Sequence, residues 1–390
     1  LTRKLKVAQV IARLNVGGAA LYVMLTAAEL RAPANPDFES LLVAGTISEG
    51  EADMRYIADE IGLPVHIIPE LGREITLRSD FSALIKLIQV FRTEKPDVVH
   101  THTAKAGFVG RVAAKLAGVP IIVHTFHGHV FQGYFSPAKT QFFLTLERLC
   151  ARFTTKIVTS GSEIRRELIA TYKLCPPEKI VVRESGLQLR RFSEFKRSSS
   201  QFRDQHCISS QAPLVGIVGR LVPIKNHELF LRAAAKVHAV RPHVQFVLVG
   251  DGELRGQLEA LVKAFRLPVT FAGWIADTPP VYGTLDVLVL SSKNEGTPVS
   301  IIEAMAAGVP TVTTQVGGVM DLYPDPRYGK VVPPDDAEAM AQAILDALDH
   351  KGIDLAAAQR FVLETYDSRQ AGAKHAELYR TLWNEAGHGE

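Results

Sequence analysis

The chain has 390 residues, of which 47% are hydrophobic and 22% charged, and its formal net charge is +3. That length exceeds one ordinary core and implies two domains. The composition excludes a disordered or fibrous chain, and no run of roughly 18 apolar residues is present to cross a membrane as a helix. The small net charge hides an asymmetry. Residues 1–205 carry 28 Lys and Arg against 20 Asp and Glu, and the remainder carries 16 against 21. A basic first half suits an anionic partner, although ordinary solvated charge explains the numbers equally well. The three cysteines, Cys150, Cys175 and Cys207, are odd in number and lack CxxC spacing. They imply neither a disulfide framework nor a zinc ribbon, and they fit a reducing cytosol.

Taken in order, the chain opens with LTRKLKVAQVIARL, too short and charged to span a membrane, in which KVAQVIARL reads as a buried strand. NVGGAA is a glycine turn, and LYVMLTAAELRA is helical. SLLVAGT is the next strand, FSALIKLIQVFRTEK a helix and DVVHTHT a strand. GFVGRVAAKLAG is again helical, and PIIVHTFHG is a strand. PAKTQFFLTLERLCARFTTK mixes Lys139, Arg148, Arg152 and Lys156 with apolar residues. It reads as a core-packed helix or, alternatively, as an interfacial one. A polar stretch over about residues 193–212 is the linker candidate. The grammar then restarts with LVGIVGR (strand), NHELFLRAAAKVHAVR (helix), VQFVLVGDG (strand) and ELRGQLEALVKAFR (helix). VTFAGW and LDVLVLSS (strands), PVSIIEAMAAG (helix) and PTVTTQVGG (strand) complete the second set. The last stretch, from LAAAQRF to LWNEAG, is helical, and Phe361, Val362, Tyr366, Leu378, Tyr379 and Leu382 can dock it on a domain face. Short apolar strands alternating with amphipathic helices make an α/β protein with parallel sheets covered on both faces. Two such sheets place ligands at the carboxyl ends of their strands, where strand order reverses, and facing domains enclose a cleft.

Five segments can carry chemistry. In GRLVPIKNHELF, Arg220 and Lys225 stand between a strand end and a helix start, which suits a diphosphate. In VGDGELR, Gly250 and Gly252 allow close backbone approach. SSKNEGTPVSIIEAMAAGVP is the most informative. Glu295, Gly296 and Thr297 form a turn, Pro298 suits the first helical turn with Thr297 as cap, and the helix start can meet a phosphate. Glu303 lies further along that helix, eight residues from Glu295. Two carboxylates beside an anion make sense as acceptors for sugar hydroxyls, one for a ribose diol and one for a transferred sugar. Gly317 and Gly318 give a further strand-end turn. In the first half, Gly17 and Gly18 follow the first strand without a GxGxxG fingerprint. His100, His102, His124, His127 and His129 cluster at two strand ends, with His127 the best placed to touch a substrate. No Asp, Glu or Cys recurs at metal spacing, so no metal is expected.

These segments, NVGGA, HTFHGH, GRLVPIKN, VGDGELR, EGTPVSIIEAMAAGVP and the glycines at 317–318, occur in one order over about residues 7–348. Together they resemble the retaining GT-B glycosyltransferases of family 4, and HTFHGHVFQGYFSP resembles bacterial members that build surface polysaccharides. The resemblance implies two Rossmann-like domains facing across a cleft, the first over 1–200 and the second over 206–360, with a helix over 361–390 crossing back. It implies transfer of a hexose or N-acetylhexosamine from a UDP-sugar, without cofactor or metal, to a glycan or lipid-linked acceptor. Arg220 and Lys225 would hold the donor diphosphate, and Glu303 the ribose. Glu295, Gly296, Thr297 and Pro298 would meet the transferred sugar. His127 would touch that sugar near the reacting centre, Gly17 and Gly18 would admit phosphates and acceptor, and Gly273 and Trp274 would lie at the base. The catalytic set is His127, Glu295, Arg220 and Lys225. A front-face reaction, with the leaving diphosphate taking the acceptor proton, follows from the same resemblance. The expected place is the cytoplasm, with peripheral contact at the inner membrane face and no nucleic-acid partner. The chain departs from the family pattern at Ala20, where Glu is common after GGA, at Gln188, where Asp is common, and in GGVMDL, where Asp321 takes the acidic position. Two other classes fit part of the pattern. A UDP-sugar 2-epimerase would need cleft carboxylates as acid and base and no acceptor, and a non-catalytic nucleotide-sugar binder would show no turnover.

Overall fold

The computed structural model describes residues 3–15, 17–47, 53–72, 76–128, 131, 136–184, 186–195 and 201–387. The chain divides into two compact units. Residues 1–187 with 366–390 form the first, and residues 188–365 the second.

The first unit contains β1 (Leu5–Arg13), α1 (Gly18–Leu30), β2 (Phe38–Gly45), α2 (Arg55–Glu60), β3 (Val65–Ile67), α3 (Leu77–Glu94) and β4 (Val98–His102). It continues through α4 (Ala104–Ala117), β5 (Ile121–Phe126), α5 (Pro137–Phe153), β6 (Lys156–Thr159), α6 (Ser162–Arg166) and β7 (Ile180–Val182). The strands form one sheet in the order β3-β2-β1-β4-β5-β6-β7, with every pairing parallel. Parallel pairing forces each connection to cross a face of the sheet, and the apolar strands are therefore covered on both sides. α3 and α4 cover one face around Ala8, Val10, Val99 and Ile122. Arg111 of α4, fully buried, bonds the Glu147 carboxylate of α5 at 2.6 Å and so ties these neighbouring helices together.

The second unit contains α7 (Arg190–Ser193), α8 (Gln201–Gln205), β8 (Leu214–Val218), α9 (His227–Val240), β9 (Gln245–Val249), α10 (Arg255–Phe265) and β10 (Val269–Gly273). It continues through α11 (Pro279–Tyr282), β11 (Val287–Leu290), α12 (Val299–Ala306), β12 (Thr311–Thr314), β13 (Lys330–Val332), α13 (Ala337–Leu348) and α14 (Leu355–Tyr366). Its sheet order is β10-β9-β8-β11-β12-β13, again wholly parallel. The polar stretch expected as a linker is partly structured here. Arg203 of α8 donates to the carbonyls of Ser209, Ala212 and Thr284 and anchors the stretch beneath β8.

The C-terminal stretch differs from its reading as a single helix. It breaks at Asp367, whose extended backbone and side chain cap a new helix, α15 (Ser368–Glu385). Phe361 stays with the second unit, packing on Tyr328. Ala376, Leu378, Tyr379, Leu382 and Trp383 of α15 fill the first unit's core against Leu5, Val7, Val98, Ile121 and Val123, beside Leu30 of α1. Leu187 and Tyr366, both of the first unit, are joined by a backbone bond of 2.8 Å. Among the described residues, no helix is long and apolar enough to cross a membrane.

Candidate functional site

In the second unit strand order reverses at β8, which has β9 on one side and β11 on the other. Such a reversal splays the connections that leave the carboxyl ends of the two strands and opens a place for a ligand. The loop after β8 carries Arg220 and Lys225, and the loop after β11 carries Glu295. The structure brings two of these together: Lys225 Nζ lies 2.6 Å from Glu295 Oε1, with side chains only 21% and 11% exposed. The Ser292 hydroxyl donates to the same oxygen at 2.5 Å. Two further bonds close the seam, from Ser291 Oγ to the Lys225 carbonyl (3.0 Å) and from Lys293 N to the Ile224 carbonyl (2.8 Å). Arg220 itself is exposed.

The neighbouring loops are stitched to these. Gly318 N donates to the Glu295 carbonyl at 2.9 Å. A Cβ on Gly318 would stand 2.0 Å from the Gly296 carbonyl, so only glycine lets the two turns touch. On the other side, Gly250, with φ of 133°, bonds the Gly273 carbonyl and would collide with the Gly219 carbonyl if it carried a Cβ. Gly273 leads to Trp274, which is 51% exposed. The turns at 273–274, 250–252, 219–225, 295–297 and 317–318 thus form one continuous rim.

α12 begins one residue later than its sequence suggests. Pro298 occupies the cap position, because its carbonyl accepts from Ile301 and Ile302, and Thr297 precedes the helix. Glu303 projects from α12 to Tyr282, whose hydroxyl donates to Oε2 at 2.7 Å. Burial raises the Glu303 carboxyl to about 7, against the opposing pull of that hydrogen bond and of Arg191. Tyr282, Ser292 and His227 were not read from sequence. His227 follows Lys225 closely and is buried with both ring nitrogens lacking a hydrogen-bond partner among the described residues.

In the first unit the reversal falls between β1 and β4. Gly17, in extended conformation, caps α1, and Gly18 is its first residue. Strand alternation puts Gln9, His100, His102 and Thr125 on the sheet face that α15 covers, Gln9 and His100 midway along β1 and β4 and His102 and Thr125 near the carboxyl ends of β4 and β5, while apolar residues fill the rest of that face. His102 Nδ1 lies 3.1 Å from His127 Nε2, and His102 Nε2 lies 2.7 Å from Gln9 Oε1. His100 bridges Tyr379 and Thr125, each at 2.6 Å, and His124, on the opposite face, meets Thr101 at 2.9 Å. His129 lies outside the described residues. Among those described, no group of three His, Cys, Asp or Glu side chains could hold a metal ion. Burial pushes His100, His102 and His124 well below the usual imidazole range, His127 down to about 3 and His375 to about 4.

The match to known proteins follows this geometry. Residues 17–186 match the model of the glycosyl transferase 4-like domain, and residues 212–350 that of glycosyl transferases group 1. The UDP-Gal:alpha-D-GlcNAc-diphosphoundecaprenol alpha-1,3-galactosyltransferase of Escherichia coli is 31% identical over 77% of this chain and 78% of its own length. The chain belongs to the family 4-like glycosyltransferases. A capsular polysaccharide biosynthesis glycosyltransferase of Staphylococcus aureus, CapM, is 27% identical over 76% of this glycosyltransferase and 78% of its own chain. Among solved structures, Anabaena Alr3699/HepE in complex with UDP and glucose superposes with a TM-score of 0.81 at 22% identity, covering 97% of this chain and all of its own. That likeness gives the fold, GT-B: two Rossmann-like units, with the C-terminal helix α15 packed on α1 of the first.

The buried histidines set an acid limit. Each has a folded pKa below its unfolded value near 6.5, so the unfolded chain takes up protons that the folded chain refuses. Their contribution is intact above about pH 6.5 and is lost as pH falls toward 3–4, at about 1.4 kcal/mol per pH unit for each histidine. Glu303 acts in the opposite sense, its raised pKa costing stability as pH rises through about 7. Thermal melts should show the midpoint falling steadily below about pH 6.5; a flat profile down to pH 4 would contradict neutral burial of this cluster.

Proposed function

We propose that this glycosyltransferase moves a hexose or N-acetylhexosamine from a UDP-sugar to a hydroxyl of a glycan or lipid-linked acceptor, with retention of anomeric configuration, in cell-surface glycan synthesis. The observation that carries the reading is the Lys225–Glu295 pair at the strand-order reversal, backed by Ser292. It joins the loop that leads into α9 to the loop that leads into α12 and fixes an ammonium there, suited to the negative charge that a departing diphosphate gathers. Arg220 supplies a second cation. In this arrangement Glu295 has two tasks, orienting Lys225 with one oxygen and accepting from the transferred sugar with the other, while Gly296, Thr297 and Pro298 line the sugar. Glu303 accepts from the ribose diol, Gly273 and Trp274 meet the base, His127 contacts the transferred sugar, and Gly17 and Gly18 admit phosphates and acceptor. The proton of the attacking hydroxyl passes to the leaving diphosphate. The E. coli and S. aureus relatives, named for a UDP-galactose donor with a diphosphoundecaprenol acceptor and for capsule synthesis, support the donor class and the setting.

The test is a screen of UDP-sugars for UDP release, with and without polyprenyl-diphosphate-linked acceptors, followed by NMR of the product anomer. Acceptor-dependent release and a retained anomer are expected. An inverted anomer, or epimerised donor without transfer, would overturn the reading. Lys225→Ala should lower kcat by roughly 10²–10³-fold.

Glu303 gives a pH signature. With one oxygen bonded to Tyr282, the carboxyl must be ionised for the other to accept from both ribose hydroxyls. UDP-glucose, whose diphosphate does not titrate near neutrality, should bind more weakly as pH falls below about 7, by up to tenfold per pH unit. Glu303→Gln should bind more weakly and show no such slope in calorimetry; an unchanged slope would remove Glu303 from the ribose.

Membrane contact belongs to the same reading. On α5, Lys139, Phe142, Leu149 and Arg152 lie on the outward face, with Phe142 60% and Leu149 46% exposed. Arg148 instead turns in to the Tyr172 carbonyl. This face suits the surface of an anionic bilayer, at the cytoplasmic side where nucleotide sugars are found. Co-sedimentation with phosphatidylglycerol vesicles should be salt-sensitive and lost in Phe142→Asp/Leu149→Asp; binding that ignores both changes would exclude α5.

A further inference from the structure

The polar face under α15 is a directed chain of hydrogen bonds, and its direction can be worked out from the side chain of Gln9. All four imidazoles on it, His375, His100, His102 and His127, are neutral near pH 7 because burial disfavours the charged ring, so each has one N–H and one bare nitrogen. The Gln9 amide nitrogen lies 3.3 Å from the Tyr379 oxygen, a separation nearer the N–H···O range than the shorter O–H···O range, and donates to it. The Tyr379 hydroxyl gives its own proton to His100 Nδ1 at 2.6 Å. His100 Nε2 then carries the ring proton and donates to Thr125 Oγ1 at 2.6 Å. In the other direction, Gln9 Oε1 faces His102 at 2.7 Å and accepts its Nε2–H. His102 Nδ1 is left bare, and among the described residues His127 Nε2–H is the donor that meets it, at 3.1 Å. Beside this chain, His375 Nδ1 donates to the Ala371 carbonyl at 2.8 Å, and its bare Nε2 takes the Tyr22 hydroxyl proton at 2.7 Å.

We infer that the Gln9 side chain, oriented by Tyr379 of the C-terminal helix and acting through His102, fixes half-buried His127 as the Nε2–H tautomer and presents its Nδ1 as an acceptor only. The consequence rests on the reading of His127 as a donor contact. A bare nitrogen can receive a sugar hydroxyl proton but has nothing to offer a phosphate oxygen, so His127 addresses the hydroxyls of the transferred sugar and not its diphosphate. Gln9, Tyr379 and His102 are positioning residues for that contact, and none of them needs to touch the substrate. Breaking the chain midway leaves two opposite directions available to the remainder, and His127 then samples both tautomers.

The decisive measurement is made on the unliganded full-length protein, uniformly labelled with ¹⁵N at histidine. Ring nitrogens with and without a proton differ widely in ¹⁵N shift. The His127 pair is assigned by its loss in His127→Gln or, if that variant does not fold, by through-bond correlation to its own backbone. A protonated Nε2 with a bare Nδ1 is expected. A protonated Nδ1, an averaged pair or a doubly protonated ring near pH 7 would overturn the inference, whatever reaction the enzyme performs. In Tyr379→Phe the two His127 shifts should move toward each other and kcat should fall about fivefold to tenfold, the worth of one neutral hydrogen bond, with UDP affinity unchanged. Gln9→Glu, whose carboxylate can only accept from His102, should retain the wild-type His127 shifts. If the shifts are as expected but no UDP-sugar is turned over, the proposed function fails and the tautomer assignment stands.

Discussion

The ion pair between Lys225 and Glu295 is the interaction on which the second unit's site depends. It spans the point at which strand order reverses, where two loops leave neighbouring strands in different directions and nothing in the sheet itself holds them together. Removing either partner leaves a half-buried charge without its counter-charge, which is costlier than losing an exposed pair. The pair, with Ser292, also holds the ammonium in one orientation, which is what the role proposed for Lys225 requires, since a preorganised charge stabilises developing charge with little rearrangement. Around it the glycines at 250 and 318 let the adjoining turns approach to backbone contact, so the rim is a single connected ledge.

The first unit solves a different problem. Its sheet ends in polar side chains on a face that is otherwise apolar, and they are covered by a helix from the far end of the chain. Buried polar groups are tolerable only when paired, and here the pairing is nearly complete because imidazole, phenol, hydroxyl and amide alternate as donors and acceptors. Charge would break the alternation, since an imidazolium has two donors and no acceptor. Electrical neutrality and hydrogen-bond order are therefore the same requirement in this core.

Much of this was legible in the sequence, and the reasons are physical. Apolar runs ending in glycine turns marked the principal strands, because a strand buried on both faces has no polar residue to confuse the pattern. The alternation in DVVHTHT already put His100 and His102 on one face. The short strands β3, β6, β7 and β13 were missed because three or four residues are too few to show periodicity, and the start of β6 was absorbed into the helical stretch ending at Lys156. The break at Asp367 hid in a continuous helical pattern, since capping depends on the backbone conformation of a single residue. Arg220, Lys225, Glu295 and Glu303 were all singled out, yet Lys225 and Glu295 were assigned separate partners: a separation of 70 positions carries no sign of direct contact. Tyr22, Tyr379 and His375 were invisible as polar participants, because each sits in a helix whose pattern needs only a bulky residue there.

The break at Asp367 has a consequence for how this protein comes into being. The second unit is contiguous in sequence, so a growing chain holds all of it before residue 368 is added. The first unit, although begun first, lacks α15 until residues 368–385 are made, and without that helix the face bearing Leu5, Val7, Val98, Ile121, Gln9 and His100 stands uncovered. The unit begun first is therefore completed second. A chain truncated before residue 368 would forfeit part of its first unit's core while keeping its contiguous second unit.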